Sequence, residues 1–156
     1  MKIVLDTNVV IDWLVFDDPY LAPFRDAVER REITVLTQSH ALEELQRVLA
    51  YRALKLDASR QEAVLEQYRE RTVLFSQTTT SASEGEVPKG FPRCRDPDDA
   101  PFLSLAWHSK AHALVSRDNE VLALRRRAER FGFQILNVPQ MMECVVALNA
   151  GGRPAA

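Results

Sequence analysis

Apolar positions along the chain gather into short runs separated by longer mixed stretches. Ile3, Val4 and Leu5 are consecutive, so Lys2 to Leu5 reads as a short buried strand. It stops at Asp6-Thr7-Asn8, residues suited to a turn or a helix N-cap, and Val9 to Leu14 then reads as helical. Residues 15–20, with Asp17-Asp18-Pro19, form a loop, and Leu21 to Arg31 a second helix. Ile33 to Leu36 is a second buried strand, after which Ser39 caps a helix running to about Tyr51. Residues 58–71 are rich in Glu, Gln, Arg and Ala and read as a further helix, with Val73 to Phe75 a third strand. The stretch 76–95, SQTTTSASEGEVPKGFPRCR, concentrates Ser, Thr, Gly and Pro and reads as a long loop. A helix follows from about Ala100 to Ser109, with Pro101 in its first turn, where a missing N–H costs nothing. Ala113 to Ser116 is a strand, Asn119 to Phe131 a helix, Phe133 to Leu136 a strand, and Pro139 opens a last helix that stops near Gly151. Strands alternating with helices at this spacing predict an α/β fold, a parallel sheet with helices on both faces. Residues 1–150 are expected to form one domain and 151–156 a frayed tail.

Composition narrows the field. The chain has 156 residues, 46% hydrophobic and 27% charged, which suits one compact core. No apolar run is long enough to cross a membrane, and in MKIVLDTNVV the acid at Asp6 interrupts what would otherwise resemble a signal peptide. A soluble, cytoplasmic protein is expected. The net charge of −2 argues against coating DNA by bulk electrostatics. It leaves room for a nuclease whose acids are gathered in one pocket. Cys94 and Cys144 form no CxxC pair and no zinc spacing with His40, His108 and His112, so free thiols are expected. His108 and His112 are an i,i+4 pair without the glutamate of a zincin, and both read as helix-surface residues.

Ligands of open parallel sheets bind beyond the carboxyl ends of the strands. Asp6 follows the first strand and Asp118 the fourth, Asp99 opens the helix before the fourth, and Glu44 lies on the helix after the second. Each acid also has a plainer reading: Asp6 or Asn8, Asp96 or Asp98, and Asp118 all suit N-caps. Asp6 is the most telling, because it ends an apolar strand expected to be central. Glu44 is distinguished from Glu43 by helix geometry. Ala41, Leu42, Leu45, Val48 and Leu49 form one apolar stripe, with Glu44 at its border and Glu43 nearly opposite. Carboxylates packed together repel, and a divalent cation removes that cost. Oxygen ligands without His or Cys suit Mg²⁺ or Mn²⁺.

The pieces IVLDTNVVIDWL, SHALEELQRVL and RDPDDAPFLSLAWHSKAHALVSRDNEVL, in this order and spacing, resemble a PIN domain. The likeness is greatest to the bacterial toxins of toxin–antitoxin pairs, VapC-like in kind, and with the intervening elements covers nearly the whole chain. It implies a three-layer α/β/α sandwich with a parallel sheet of four or five strands. It also implies metal-dependent endoribonuclease activity leaving 5′-phosphate and 3′-hydroxyl ends. By position the family's acids match Asp6, Glu44, Asp99 and Asp118, as catalytic residues and metal ligands. Thr7, Asn8 and Ser116 are their polar neighbours, and Asp96 is an additional acid. The resemblance further implies an RNA substrate, a small antitoxin protein as partner, and a homodimer. The 76–95 loop has no counterpart that we can align.

Arg117 and the arginines at 125, 126, 127 and 130 are placed to track an RNA backbone. Equally, Arg125–Arg130 read as the solvent face of a helix that buries Val121, Leu124, Ala128 and Phe131. The rival readings are a non-catalytic PIN-like module that binds RNA or protein, and a haloacid-dehalogenase phosphatase. The second needs an Asp where Asn8 stands. No GxGxxG follows the first strand, which argues against dinucleotide binding.

Overall fold

In a computed structural model, which describes residues 1–76 and 87–151, five parallel strands form one sheet. The strands are β1 (Lys2–Leu5), β2 (Thr34–Thr37), β3 (Thr72–Leu74), β4 (Ala113–Val115) and β5 (Gln134–Leu136), in the order β3-β2-β1-β4-β5. The helices are α1 (Thr7–Leu14), α2 (Ala22–Glu29), α3 (Ser39–Leu49), α4 (Ala58–Arg71), α5 (Ala100–His108), α6 (Asn119–Leu122), α7 (Arg125–Glu129) and α8 (Val138–Asn149). This is the predicted α/β sandwich.

The central strands β1, β2 and β4 are mostly apolar because both of their faces are buried, whereas the edge strand β3 leaves Val73 and Leu74 exposed. Ile3 and Leu5, with Val35, Ala113 and Val115, enter the core beneath α1, α2, α4 and α8, where Trp13, Phe24 and Tyr68 are the bulk. Val4, Leu36, Leu114 and Ile135 enter the opposite core with Phe102, Leu105 and Ala106 of α5. The period of two thus assigns each side chain to a layer. β1 is central, bonded to β2 and β4, and its register places Leu5 beside Val115.

Several boundaries differ from those predicted. Helix α1 starts at Thr7, because Asp6 already occupies the N-cap position. Ahead of α2, Pro19–Leu21 is a 3-10 turn, and Asp18 caps it through Tyr20 N–H. Ser39 does not cap α3; it is the first helical residue, and Gln38 sits at the cap position without a side-chain bond. The helix predicted over 119–131 is two short ones. Leu124 N–H bonds to Val121 carbonyl and Arg127 N–H to Leu124 carbonyl, three-residue spacings that break the ladder. At α8, Asn137 and Gln140 form a reciprocal capping box, with Pro139 inside the first turn. His112 is not on a helix. It leads into β4, and its Nδ1 accepts the Lys2 N–H at 3.1 Å. Of the predicted 76–95 loop, residues 77–86 lie outside the described residues, as do 152–156 of the predicted tail. No helix among the described residues is long and apolar enough to cross a membrane.

Candidate metal centre

Asp6 stands where β1 runs out. Its N–H bonds to the Val115 carbonyl at 2.9 Å, which extends the β1–β4 ladder by one residue and holds the side chain at the sheet's carboxyl edge. The residue is buried. It forms no side-chain capping bond to α1, so the plain N-cap reading does not account for it. Instead Asp6 Oδ2 accepts from Ser116 Oγ at 2.5 Å and from Asn8 Nδ2 at 2.9 Å. Burial pushes the Asp6 carboxyl above the usual range, and these two donors pull it part of the way back. The Asn8 and Thr7 amides also lie near enough to draw it down.

Ser116, fully buried after β4, joins two acids. Its hydroxyl donates to Asp6 and accepts the Asp118 N–H at 3.0 Å. Asn8 ties the same two loops, since its Oδ1 accepts the Arg117 N–H at 3.3 Å. Arg117 in turn reaches Asp12 Oδ2 at 2.7 Å. Asp118 itself does cap: Oδ1 accepts Glu120 N–H at 2.7 Å, and the side chain is exposed.

Asp99 occupies the cap position of α5 but makes no capping bond. Its Oδ2 accepts from Cys94 Sγ at 3.3 Å. Its carboxyl is pushed up to about 6, first by burial and then by the charges of Asp6, Asp118 and Asp96, while the Cys94 thiol opposes. Asp96 is exposed and closes a local turn by accepting the Asp98 N–H at 2.9 Å.

On α3, Glu43 is exposed and Glu44 half-buried. Glu44 Oε2 is shielded from solvent without a hydrogen-bond partner. Burial raises the Glu44 carboxyl, the Thr7 hydroxyl draws it back, and the Asp6 charge raises it further. Beneath it Tyr68, its hydroxyl near Thr37, is pushed up to about 12 by burial, with the Glu44 charge adding to the effect.

The four acids therefore share one electrostatic environment: Asp6 acts on Glu44 and Asp99, and Asp118 acts on Asp99. They do not form a finished ligand cage. Among the described residues, no three His, Cys, Asp or Glu side chains are arranged to hold an ion. Three of the carboxylates instead accept bonds from Ser116, Cys94 and the Glu120 amide. The chemistry of the set still fits a hard divalent cation: oxygen donors, mutual repulsion and an unpartnered buried Glu44 oxygen.

Cys94 is a free thiol, as the spacing predicts, but its contact with Asp99 was not foreseen. It lies in irregular chain, where periodicity assigns no face. His108 is half-buried, with Nε2 shielded and unpartnered, and is not a surface residue. His40 Nδ1 is likewise shielded, one helical turn before Glu44. The arginines divide: Arg126, Arg127 and Arg130 are exposed around buried Ala128, whereas Arg125 is half-buried.

The family model described as PIN domain matches residues 2–120, a span containing all four acids. No curated protein matches the chain.

Proposed function

The chain belongs to the PIN domain family, and on that premise we propose that it is a metal-dependent endoribonuclease, the toxin of a toxin–antitoxin pair. The observation that carries this reading is the Asp6–Glu44–Asp99 set: three carboxylates raised by burial, with the Asp6 charge raising the other two further and Glu44 Oε2 left without a partner. Asp6, Asp99, Asp118 and Glu44 would hold Mg²⁺ or Mn²⁺, which supplies charge neutralisation at the scissile phosphate and lowers the pKa of a nearby water.

The chain's own residues have distinct tasks. Ser116 fixes Asp6 Oδ2 and the Asp118 amide at once, so the two strand ends act as a unit. Asn8 repeats that link from the α1 side. Glu44, half-buried at the border of α3's apolar stripe, is the carboxylate that would orient the attacking water. Water adds to phosphorus, the 3′-oxygen leaves with a proton, and the products carry 5′-phosphate and 3′-hydroxyl ends. Arg117, braced by Asp12, and the exposed Arg126, Arg127 and Arg130 follow the RNA backbone. A cytoplasmic homodimer restrained by a small antitoxin completes the reading. Light scattering at micromolar concentration tests the dimer, and a monomer alone would count against it.

Asp6→Asn should reduce Mn²⁺-dependent RNA cleavage to background and weaken Mn²⁺ binding in calorimetry. Equal cleavage and equal binding by wild type and variant would sink the assignment. Metal and RNA binding without cleavage by the wild type would favour the non-catalytic module.

A further inference from the structure

The turn that carries Asp99 has a second side. Phe91, Pro92, Pro97, Pro101 and Ser104 border an open hollow of about 480 Å³, with Arg93 and Cys94 also on its wall. We infer that this hollow is a subsite for one unpaired nucleobase of single-stranded RNA, next to the phosphate held at the acid rim. The inference rests on the nuclease reading and adds to it where the substrate's base would lie.

Three observations favour a base. The first is continuity. Cys94 lines the hollow and donates to Asp99 Oδ2 at 3.3 Å, and Pro97, Ala100 and Pro101 bracket Asp99 in the chain. A base in the hollow is therefore within one nucleotide of a phosphate at the acids. The second is rigidity. Phe91 is buried and set edge-on to Trp107 at 5.7 Å and to Phe131 at 5.2 Å. Gln38 Nε2 donates to the Pro101 carbonyl at 3.0 Å, which pins the turn to the start of α3. Flat walls of fixed φ suit a planar ring and lose little entropy on binding. The third is charge. Arg93 is exposed on the wall of the hollow, and Lys89 and Arg95, the latter 4.0 Å from Glu120, are exposed in the same segment; an arginine there matches phosphate and suits stacking on a base. An acidic rim beside a cationic loop selects a ligand that carries its own anions and an apolar plane. The volume lies within the range of small-ligand clefts, roughly 300–1,000 Å³.

The test uses Ala100→Trp, an exposed position at the mouth, and Arg93→Ala, an exposed loop position. The probe is a fluorescein-labelled, mixed-sequence single-stranded RNA, held intact in Ca²⁺ and read by anisotropy. Each variant should bind it about tenfold more weakly, the scale of one lost base stack. Mn²⁺ affinity in calorimetry should not change. An abasic scan of the RNA should show one sensitive position beside the cleaved bond in wild type, and none in Ala100→Trp. Unchanged RNA affinity in both variants, or an abasic scan without a sensitive position, overturns the subsite and leaves the nuclease reading standing. The same result would follow if the hollow seats a protein segment. No RNA binding by the wild type overturns both.

Discussion

The two ends of the sheet treat polar groups differently. At the amino end the chain closes on itself: Thr34 N–H bonds to the Met1 carbonyl, His112 N–H to Lys2 and Gln134 N–H to His112, all within 2.9 Å. The Lys2 amide is completed by His112 Nδ1. At the carboxyl end lie Asp6, Thr7, Thr37 and Ser116, four of the five buried polar residues described. There Glu44 Oε2 and Thr37 Oγ1 lack partners. Burying an unpaired polar group costs about 1–3 kcal/mol. His108 Nε2, where α5 ends, is also unpartnered, so the contrast is one of degree: the carboxyl end gathers most of the buried polar residues together with the acids.

Removing one acid should expose this contrast. Glu44→Gln should abolish RNA cleavage yet raise the melting temperature of the metal-free protein by about 2–4 °C, the equivalent of ~1 kcal/mol in a chain of this size. Glu43→Gln, at an exposed position, should change neither. A destabilised but active Glu44→Gln would break the comparison.

Ser116→Ala comes next. It deletes the donor to Asp6 and the acceptor for the Asp118 amide. Mn²⁺ affinity by calorimetry should fall about 10–100-fold, as when a group that orients ligands is lost. Affinity within twofold of wild type would show that Ser116 does not position the acids.

A smaller effect concerns pH. Asp6, Glu44 and Asp99 all have raised carboxyls in the folded chain, Asp99 at about 6 against an ordinary 3.8. The folded state then holds protons that the unfolded state releases. Their contribution is complete below about pH 4 and is lost as pH rises through 6. Glu32, drawn down by Arg30, works in the opposite direction but is exposed at the surface. In thermal melts the metal-free protein should therefore lose stability from pH 5 to 7, and saturating Mn²⁺ should remove that loss, since ligation needs ionised carboxylates. A flat metal-free profile would contradict the shared charge environment.

The smallest effect belongs to the other end. His112→Ala removes one acceptor at an exposed site and should cost at most about 1 kcal/mol, with cleavage unchanged. A large loss of activity would mean that the two ends are coupled.

Much of this was legible in the chain. Consecutive apolar residues at 3–5 announce a strand buried on both faces, and Asp6 directly after them announces its edge. The stripe through Ala41, Leu45 and Leu49 places Glu44 at its border, and the side chain is half-buried while Glu43 is exposed. The break at Leu124 left no mark, because neither Gly nor Pro interrupts residues 119–131. The contact of Cys94 with Asp99 was equally silent, since irregular chain has no period to read.

By itself the sequence determined which segments are strands and helices, the parallel α/β architecture, and the acids standing at strand ends. Local periodicity and chain order carry that information. Only the tertiary structure decided that Ser116 bridges Asp6 and Asp118 across 110 residues of chain from the first acid, that Asp118 caps a helix while Asp6 does not, and that the acids act on one another. Those outcomes depend on the strand order β2-β1-β4, which brings distant segments side by side, and on the burial that follows from it.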